Sequence, residues 1–159
     1  MQKNILVIGG TRYFGKLLVH DLLHAGHRVT IATRGQAADG WGGRVRRIRV
    51  DRRDAAAMRS AFAGGEDYDL VFDQMCYSPL DAAISSWVFT GRVRRYVMAS
   101  TIEVYRSMVG LQKRPFAEAD WDASQETIDM DYPWHNPATD KSSNHMRPSI
   151  APWKRPRSA

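Results

Sequence analysis

Ile5-Leu6-Val7-Ile8-Gly9-Gly10-Thr11-Arg12-Tyr13-Phe14-Gly15 is the stretch from which the rest of the chain is read. Four apolar residues without polar alternation describe a strand buried on both faces. Two glycines end it, and from Tyr13 the period changes to that of a helix. Phe14, Leu18 and Leu22 recur at i, i+4 and i+8 with Leu17 and Ala25 beside them, while Lys16, His20, His24 and His27 follow the opposite stripe. Gly26 is placed to end that helix. A strand, a glycine turn and a helix start, in that order, suit a pyrophosphate: backbone can approach closely and helix N–H groups receive the charge. Gly9 permits the turn, Gly10 leaves the anion room, and Gly15 lets the helix lie near the sheet. Thr11, Arg12, Tyr13 and Phe14 complete the loop. The glycine pattern alone is weak, and its strand-to-helix context gives it meaning.

Outward from this loop, Val29-Thr30-Ile31-Ala32-Thr33 reads as a second strand. Gly40, Gly42 and Gly43 mark a loop, and Val45, Ile48 and Val50 with interleaved arginines form a third, less buried strand. Asp54 is placed to cap a helix through Phe62 that Gly64-Gly65 ends. Residues 68–73 are a fourth strand. Ser78-Pro79 opens a helix to about Phe89, with proline where a missing N–H matters least, and residues 95–99 are a fifth strand. Strands alternating with helices indicate parallel βαβ units with right-handed crossovers. The expected fold class is α/β: a Rossmann-like three-layer sandwich with a parallel sheet of about five strands and an irregular C-terminal tail. Beyond Tyr105 the periodicity fails, and residues 110–159 hold all but one of the seven prolines.

The 159 residues carry 23 Lys+Arg against 17 Asp+Glu, a net +6. The charge is blocked: residues 1–114 sum to +8, 115–140 to −7 and 141–159 to +5. Polyanion binding is therefore not implied by the total. Arg44, Arg46, Arg47, Arg49, Arg52 and Arg53 do cluster, but no aromatic platform accompanies them, and nucleic acid is not an expected partner. Cys76 is the single cysteine, which excludes a disulfide scaffold. No apolar run reaches the length of a membrane span, and the N-terminal one is too short for a signal peptide, so a cytoplasmic location without membrane contact is expected. The spacing of His20, His24 and His27 would suit a metal, but the stripe is the solvated one and lacks the glutamate of a zinc protease motif. No metal is expected.

A dinucleotide site selective for NAD commonly carries an acid at the end of the second strand for the ribose 2′-hydroxyl. Here Ala32-Thr33-Arg34 stands at that place, and no acid appears before Asp39. Arg34, with Arg12, is suited to a 2′-phosphate, so NADP is expected, with NAD possible.

These residues resemble the extended or atypical short-chain dehydrogenase/reductase superfamily, and within it the NAD-dependent epimerase/dehydratase family, over roughly 3–105. The likeness runs through the glycine loop, Val50-Asp51-Arg52-Arg53-Asp54, Asp69-Leu70-Val71-Phe72-Asp73, Met75-Cys76-Tyr77, and Arg95 to Tyr105 with its Ser-Thr-x-x-Val-Tyr ending. By that resemblance Asp51 lies by the adenine, Met75 and Cys76 lie beside the cofactor, Ser100 belongs to the cofactor rim, and Thr101 is the catalytic Ser/Thr. The family's chemistry is hydride transfer at a sugar or alcohol carbon, on a nucleotide sugar or similar small hydroxyl compound, with a tyrosine as acid/base.

That tyrosine needs a lysine four residues on to ionise near neutrality. The residues four after Tyr13, Tyr68, Tyr77, Tyr96, Tyr105 and Tyr132 are Leu17, Phe72, Asp81, Ser100, Val109 and Asn136. The Tyr-x-x-x-Lys element is absent from this sequence. The expected organisation is a dinucleotide-binding domain over 1–105, an acidic segment over 106–140 resembling the family's pre-catalytic region, and a basic, disordered tail over 141–159. The change of composition near 141 is read as a truncated or frame-shifted product of a longer reductase gene. The expected function is an N-terminal cofactor-binding fragment of an epimerase/dehydratase-type oxidoreductase, itself inactive. The alternative is a non-catalytic NADP-sensing or RNA-binding module.

Overall fold

The apolar run at the start of the chain becomes the middle strand of a sheet, so neither of its faces meets water. In the computed structural model, which describes residues 1–65, 67–101, 105, 108–110, 113–122, 124 and 133, this strand is β1 (Asn4–Ile8), buried throughout. β2 (Arg28–Thr33), β3 (Val45–Arg49), β4 (Tyr68–Asp73) and β5 (Val93–Met98) join it in one parallel sheet of order β3-β2-β1-β4-β5. The register aligns Ile8 with Ala32 on one side and with Asp73 on the other, Thr33 with Arg49, and Asp73 with Met98. The strands' C-terminal ends are therefore level.

Ile5 and Val7 meet Val29, Ile31 and Val45 on one face, beneath Val19 of α1 (Tyr13–His24) and with Leu70 and Phe72 of β4 packed against them. No helix crosses from β2 to β3; the connection makes a 3-10 turn at Gly42–Arg44, and buried Trp41 covers that part of the core instead. Each such buried aliphatic or aromatic side chain contributes about 1.5–3 kcal/mol. The crossovers from β3 to β4 and from β4 to β5 run the other way across the sheet. Right-handedness therefore puts α2 (Ala55–Phe62) and α3 (Pro79–Phe89) on the opposite face. There Phe62 meets Phe89 edge-on with centroids 5.0 Å apart, and Phe89 lies 6.0 Å from Tyr96.

The boundaries follow local chemistry. Gly26, at φ +78°, closes α1 with His27 N–H donating to Leu22 and Gly26 N–H to Leu23, a complete Schellman ending. Asp54 caps α2, its Oδ1 accepting from Ala57 N–H at 2.9 Å. The face of α1 differs from the sequence expectation. Gly15 and Val19 are buried and Leu18 and Leu22 half-buried, but Phe14 and Leu17 are 61% and 66% exposed. Gly15, having no side chain, is the residue that lets the first turn approach the sheet. The helix rotates to present the 15–19–22 row, and Phe14 and Leu17 turn outward.

The chain divides into two units, 1–76 with 84–99, which holds the whole sheet, and 77–83 with 100–159. In the second, Ser78 Oγ accepts from Asp81 N–H, buried Asp81 accepts from Tyr77 N–H, and Pro79 takes the first helical position as expected. Arg114 forks onto Asp120, and Tyr105 stacks on Phe116. The expected acidic segment lies partly, and the basic tail 141–159 wholly, outside the described residues.

Candidate functional site

Every residue marked in the sequence for binding follows the C-terminal end of a strand. β1 and β4 are neighbours whose chains leave in opposite directions, and that divergence opens a crevice at the sheet's C-terminal edge. Each ladder continues one residue past its strand: Gly9 N–H to Ala32 O, Gln74 N–H to Ile8 O, Val50 N–H to Thr33 O and Ala99 N–H to Asp73 O, at 2.8–3.1 Å. The loops thus start from a common, fixed rim.

At its centre is the glycine loop. Gly9 and Gly10 adopt φ of +94° and +93°, a region closed to most L-residues. A Cβ on Gly9 would fall 2.8 Å from Met75 Cγ, and one on Gly10 would fall 2.9 Å from Val19 and 3.1 Å from Val7. The missing side chain of Gly10 therefore serves the seating of α1 on β1. A Cβ on Gly15 would meet Gly10 Cα at 3.1 Å, which explains the third glycine as a close approach of helix and loop. Tyr13, the first residue of α1, has φ +48°, strained for a bulky residue. No side chain caps α1, its first turn holds no acid, and the N-cap residue is itself basic, exposed Arg12. Thr11 is half-buried and Tyr13 and Phe14 are exposed.

At the end of β2, Thr33 Oγ1 accepts from Gly35 N–H, and exposed Arg34 follows. At the end of β3, Asp51 is exposed, its Oδ1 taking Arg53 N–H. Past β4, Met75 is exposed and Cys76 half-buried. Ser100 and Thr101, just beyond β5, are exposed and belong to the other unit. No tyrosine–lysine pair of the required spacing joins them, since the sequence has none.

Sequence reasoning missed the buried group behind this rim. Asp73, with no solvent exposure, accepts from Arg52 Nη1 through both carboxylate oxygens at 2.8 and 2.7 Å, and from Met75 N–H at 2.9 Å. Tyr96 Oη also donates to it. Arg52, only 8% exposed, gives Nη2 to Ser85 Oγ at 2.8 Å. One carboxylate therefore ties the ends of β3, β4 and β5 to α3 and fixes the start of the Met75–Cys76 loop. Burial first, and then the Asp73 charge, push the Tyr96 hydroxyl far above its ordinary pKa, so it stays a donor. Gln74 was missed as well. Its Oε1 is buried with no partner, and its Cγ lies 3.7 Å from where a Gly15 Cβ would sit. Nothing in the local pattern after β4 marked it. Nearer the sheet edge, Arg47 forks onto Asp39 at 2.7 and 2.8 Å, and this hydrogen bonding holds the Asp39 carboxyl below its usual range.

The sheet order, the strained glycine loop and the uncapped helix at the crevice define a Rossmann-type α/β domain. Residues 5–82 match the NAD dependent epimerase/dehydratase family. The chloroplast stem-loop binding protein of 41 kDa b of Arabidopsis thaliana is 31% identical over 86 residues, covering 45% of this chain and 22% of that protein. Among solved structures, an epimerase of Methanothermobacter thermautotrophicus superposes with TM-score 0.55 at 23% identity, over 75% of this chain and 40% of its own. The enzyme WbmG of Bordetella bronchiseptica, solved in complex with NAD, gives 0.55 at 16% identity, over 66% and 39%. The likeness to these structures is one of fold. The chain spans well under half the length of each of these relatives.

Proposed function

We propose that this chain binds a nicotinamide dinucleotide across the C-terminal ends of β1, β2 and β4, with its pyrophosphate on the glycine loop and the N-terminus of α1. The observation that carries the reading is that loop: two glycines at positive φ, close-packed against Met75 and Val19, lead into a helix start that no side chain caps and no acid neutralises. Arg12 at the N-cap adds a full positive charge where helix N–H groups already favour an anion. Asp51 and the Met75–Cys76 loop are suited to the adenine and nicotinamide ends. With Arg34 in place of an acid after β2, the cofactor is NADP rather than NAD.

The chemistry to which such a cofactor belongs is hydride transfer at a hydroxyl-bearing carbon, on a nucleotide sugar or a compound like it. By its likeness to the family's Ser/Thr position, Thr101 is the hydroxyl we assign to that chemistry. This chain by itself does not turn over substrate, because the acid/base tyrosine and its lysine are missing, which removes a factor of about 10²–10⁴ before substrate positioning is counted. RNA is the second partner to weigh, since a relative is named for stem-loop binding. Within the arginine cluster, Arg47 is engaged by Asp39 and Arg52 is buried on Asp73, while Arg46 and Arg49 extend from opposite faces of β3. That arrangement gives no continuous basic face and speaks against it.

Titration of the full chain with NADPH and NADH, followed by nicotinamide fluorescence, tests the reading. Saturable binding that weakens about tenfold on Arg12→Ala supports it, as loss of one charge-assisted contact to phosphate. Absence of binding by either nucleotide would sink it.

A further inference from the structure

Arg49, the last residue of β3, entered the sequence reading only as a member of the arginine cluster and not as a cofactor residue. It stands beside Thr33 in register, on the edge strand of the sheet. Its Nε donates to the carbonyl of Arg34 at 3.2 Å. A Cβ on Gly35 would fall 3.2 Å from both Arg49 Cδ and Nε, so the guanidinium stem occupies the space that a side chain at 35 would fill. Gly35 is at φ +71°, and its N–H is held by Thr33 Oγ1. The turn after β2 is thus pinned from both sides, with the backbone of Arg34 held against the Arg49 side chain.

We propose that Arg49 is a specificity-determining residue of the dinucleotide site, and that with Arg34 it grips the 2′-phosphate of NADP. The inference rests on the dinucleotide reading above. One of the five guanidinium N–H donors of Arg49 is used on the Arg34 carbonyl, which orients the fork and leaves its outer edge for a phosphate. The local charge permits this. Asp39 is the only acid between Arg34 and Val50, and Arg47 and the Trp41 N–H already hold it. Asp51, two residues past Arg49, has its Oδ1 on the Arg53 N–H. A dianionic 2′-phosphate therefore meets two guanidinium groups while Asp39 is already paired, and no acid directly follows β2 to accept a hydrogen bond from a 2′-hydroxyl. Gly35 has its own part: any larger residue displaces Arg49 as well as straining the turn.

The test is a comparative titration of the full chain with NADPH, NADH, 2′,5′-ADP and 5′-ADP. The expected result is NADPH over NADH and 2′,5′-ADP over 5′-ADP. Arg49→Ala weakens the two 2′-phosphorylated probes about tenfold or more and leaves NADH unchanged, and Arg49→Lys restores part of the loss. Gly35→Ala acts in the same direction, and Arg46→Ala, from the other face of β3, has no selective effect. If the chain binds NADH as tightly as NADPH, the inference falls while the dinucleotide reading stands. If Arg49→Ala weakens NADH and NADPH by the same factor, Arg49 only holds the turn and the inference is again wrong. Binding of none of the four probes overturns both.

Discussion

Arg49 and Arg52 stand three residues apart in one basic cluster, and the fold treats them in opposite ways. Arg49 is the last residue of an edge strand, exposed, with its fork free to face solvent. Arg52 follows the turn at Asp51 and enters the interior, where it doubly bonds a fully buried carboxylate. One residue type thus serves recognition at the rim and cohesion behind it. The difference lies in what each can reach. Past the end of β3 the chain turns over the sheet, and Asp73 at the end of β4 is the acid that waits there.

Substitution of Arg52 separates the two regions most strongly. Arg52→Met leaves Asp73 buried with the donors of Tyr96 and Met75 but without a counter-charge, which costs about 3–5 kcal/mol. A drop in Tm of more than about 10 °C is expected by circular dichroism, against a shift of about 0.5 kcal/mol or less for Arg49→Ala. Asp73→Asn added to Arg52→Met recovers part of the loss by removing the unpaired charge. If both single arginine variants melt alike, the contrast between rim and interior is not energetic.

Tyr96 refines the interior side of the contrast through pH. Its hydroxyl donates to Asp73, and burial and then the Asp73 charge raise its pKa above the unfolded value of about 10. A raised folded pKa means that the stabilisation is fully present below about pH 10 and is lost as pH rises beyond it. Tyr96→Phe should cost about 1 kcal/mol at pH 8 and reduce the decline between pH 8 and 11, read from urea midpoints. An unchanged alkaline slope would show that the hydroxyl carries none of that dependence.

These two side chains also mark the limit of what the sequence made legible. Element order, the parallel sheet and the glycine loop follow from local pattern, because a buried strand, an amphipathic helix and a cap each declare themselves over a few residues. Asp54, Gly26 and Pro79 are such local signals, and each stands where the pattern put it. The Arg52–Asp73–Tyr96–Ser85 group joins residues up to 44 positions apart, which periodicity cannot pair. The rotation of α1 was equally hidden: Phe14 and Leu17 are apolar, but the close approach of Gly15 decides which row meets the sheet. Gly10 was legible as a glycine position and not as a packing one, since Val19 reaches it only after the helix has formed. In the cluster itself, sequence gave six arginines, and only the fold sorts them by partner.

Arg47 lies between the two extremes and should give the smallest effect. It forks onto Asp39 like an interior pair, but its side chain is 42% exposed against 10% for Asp39. Water and salt screen such a pair, so Arg47→Ala is expected to lower stability only slightly. Asp39 keeps its second task, accepting from the Trp41 N–H that holds the core-covering indole in place. Because hydrogen bonding from Arg47 lowers the Asp39 pKa, the contribution is present above the unfolded value of about 3.9 and is lost as pH falls below it. Wild type and Arg47→Ala should therefore differ in urea midpoint at pH 7, and the difference should shrink as pH falls below about 3.9. A difference that persists undiminished at pH 3 would assign the effect of Arg47 to its bonds with the carbonyls of Gly42 and Val45 instead.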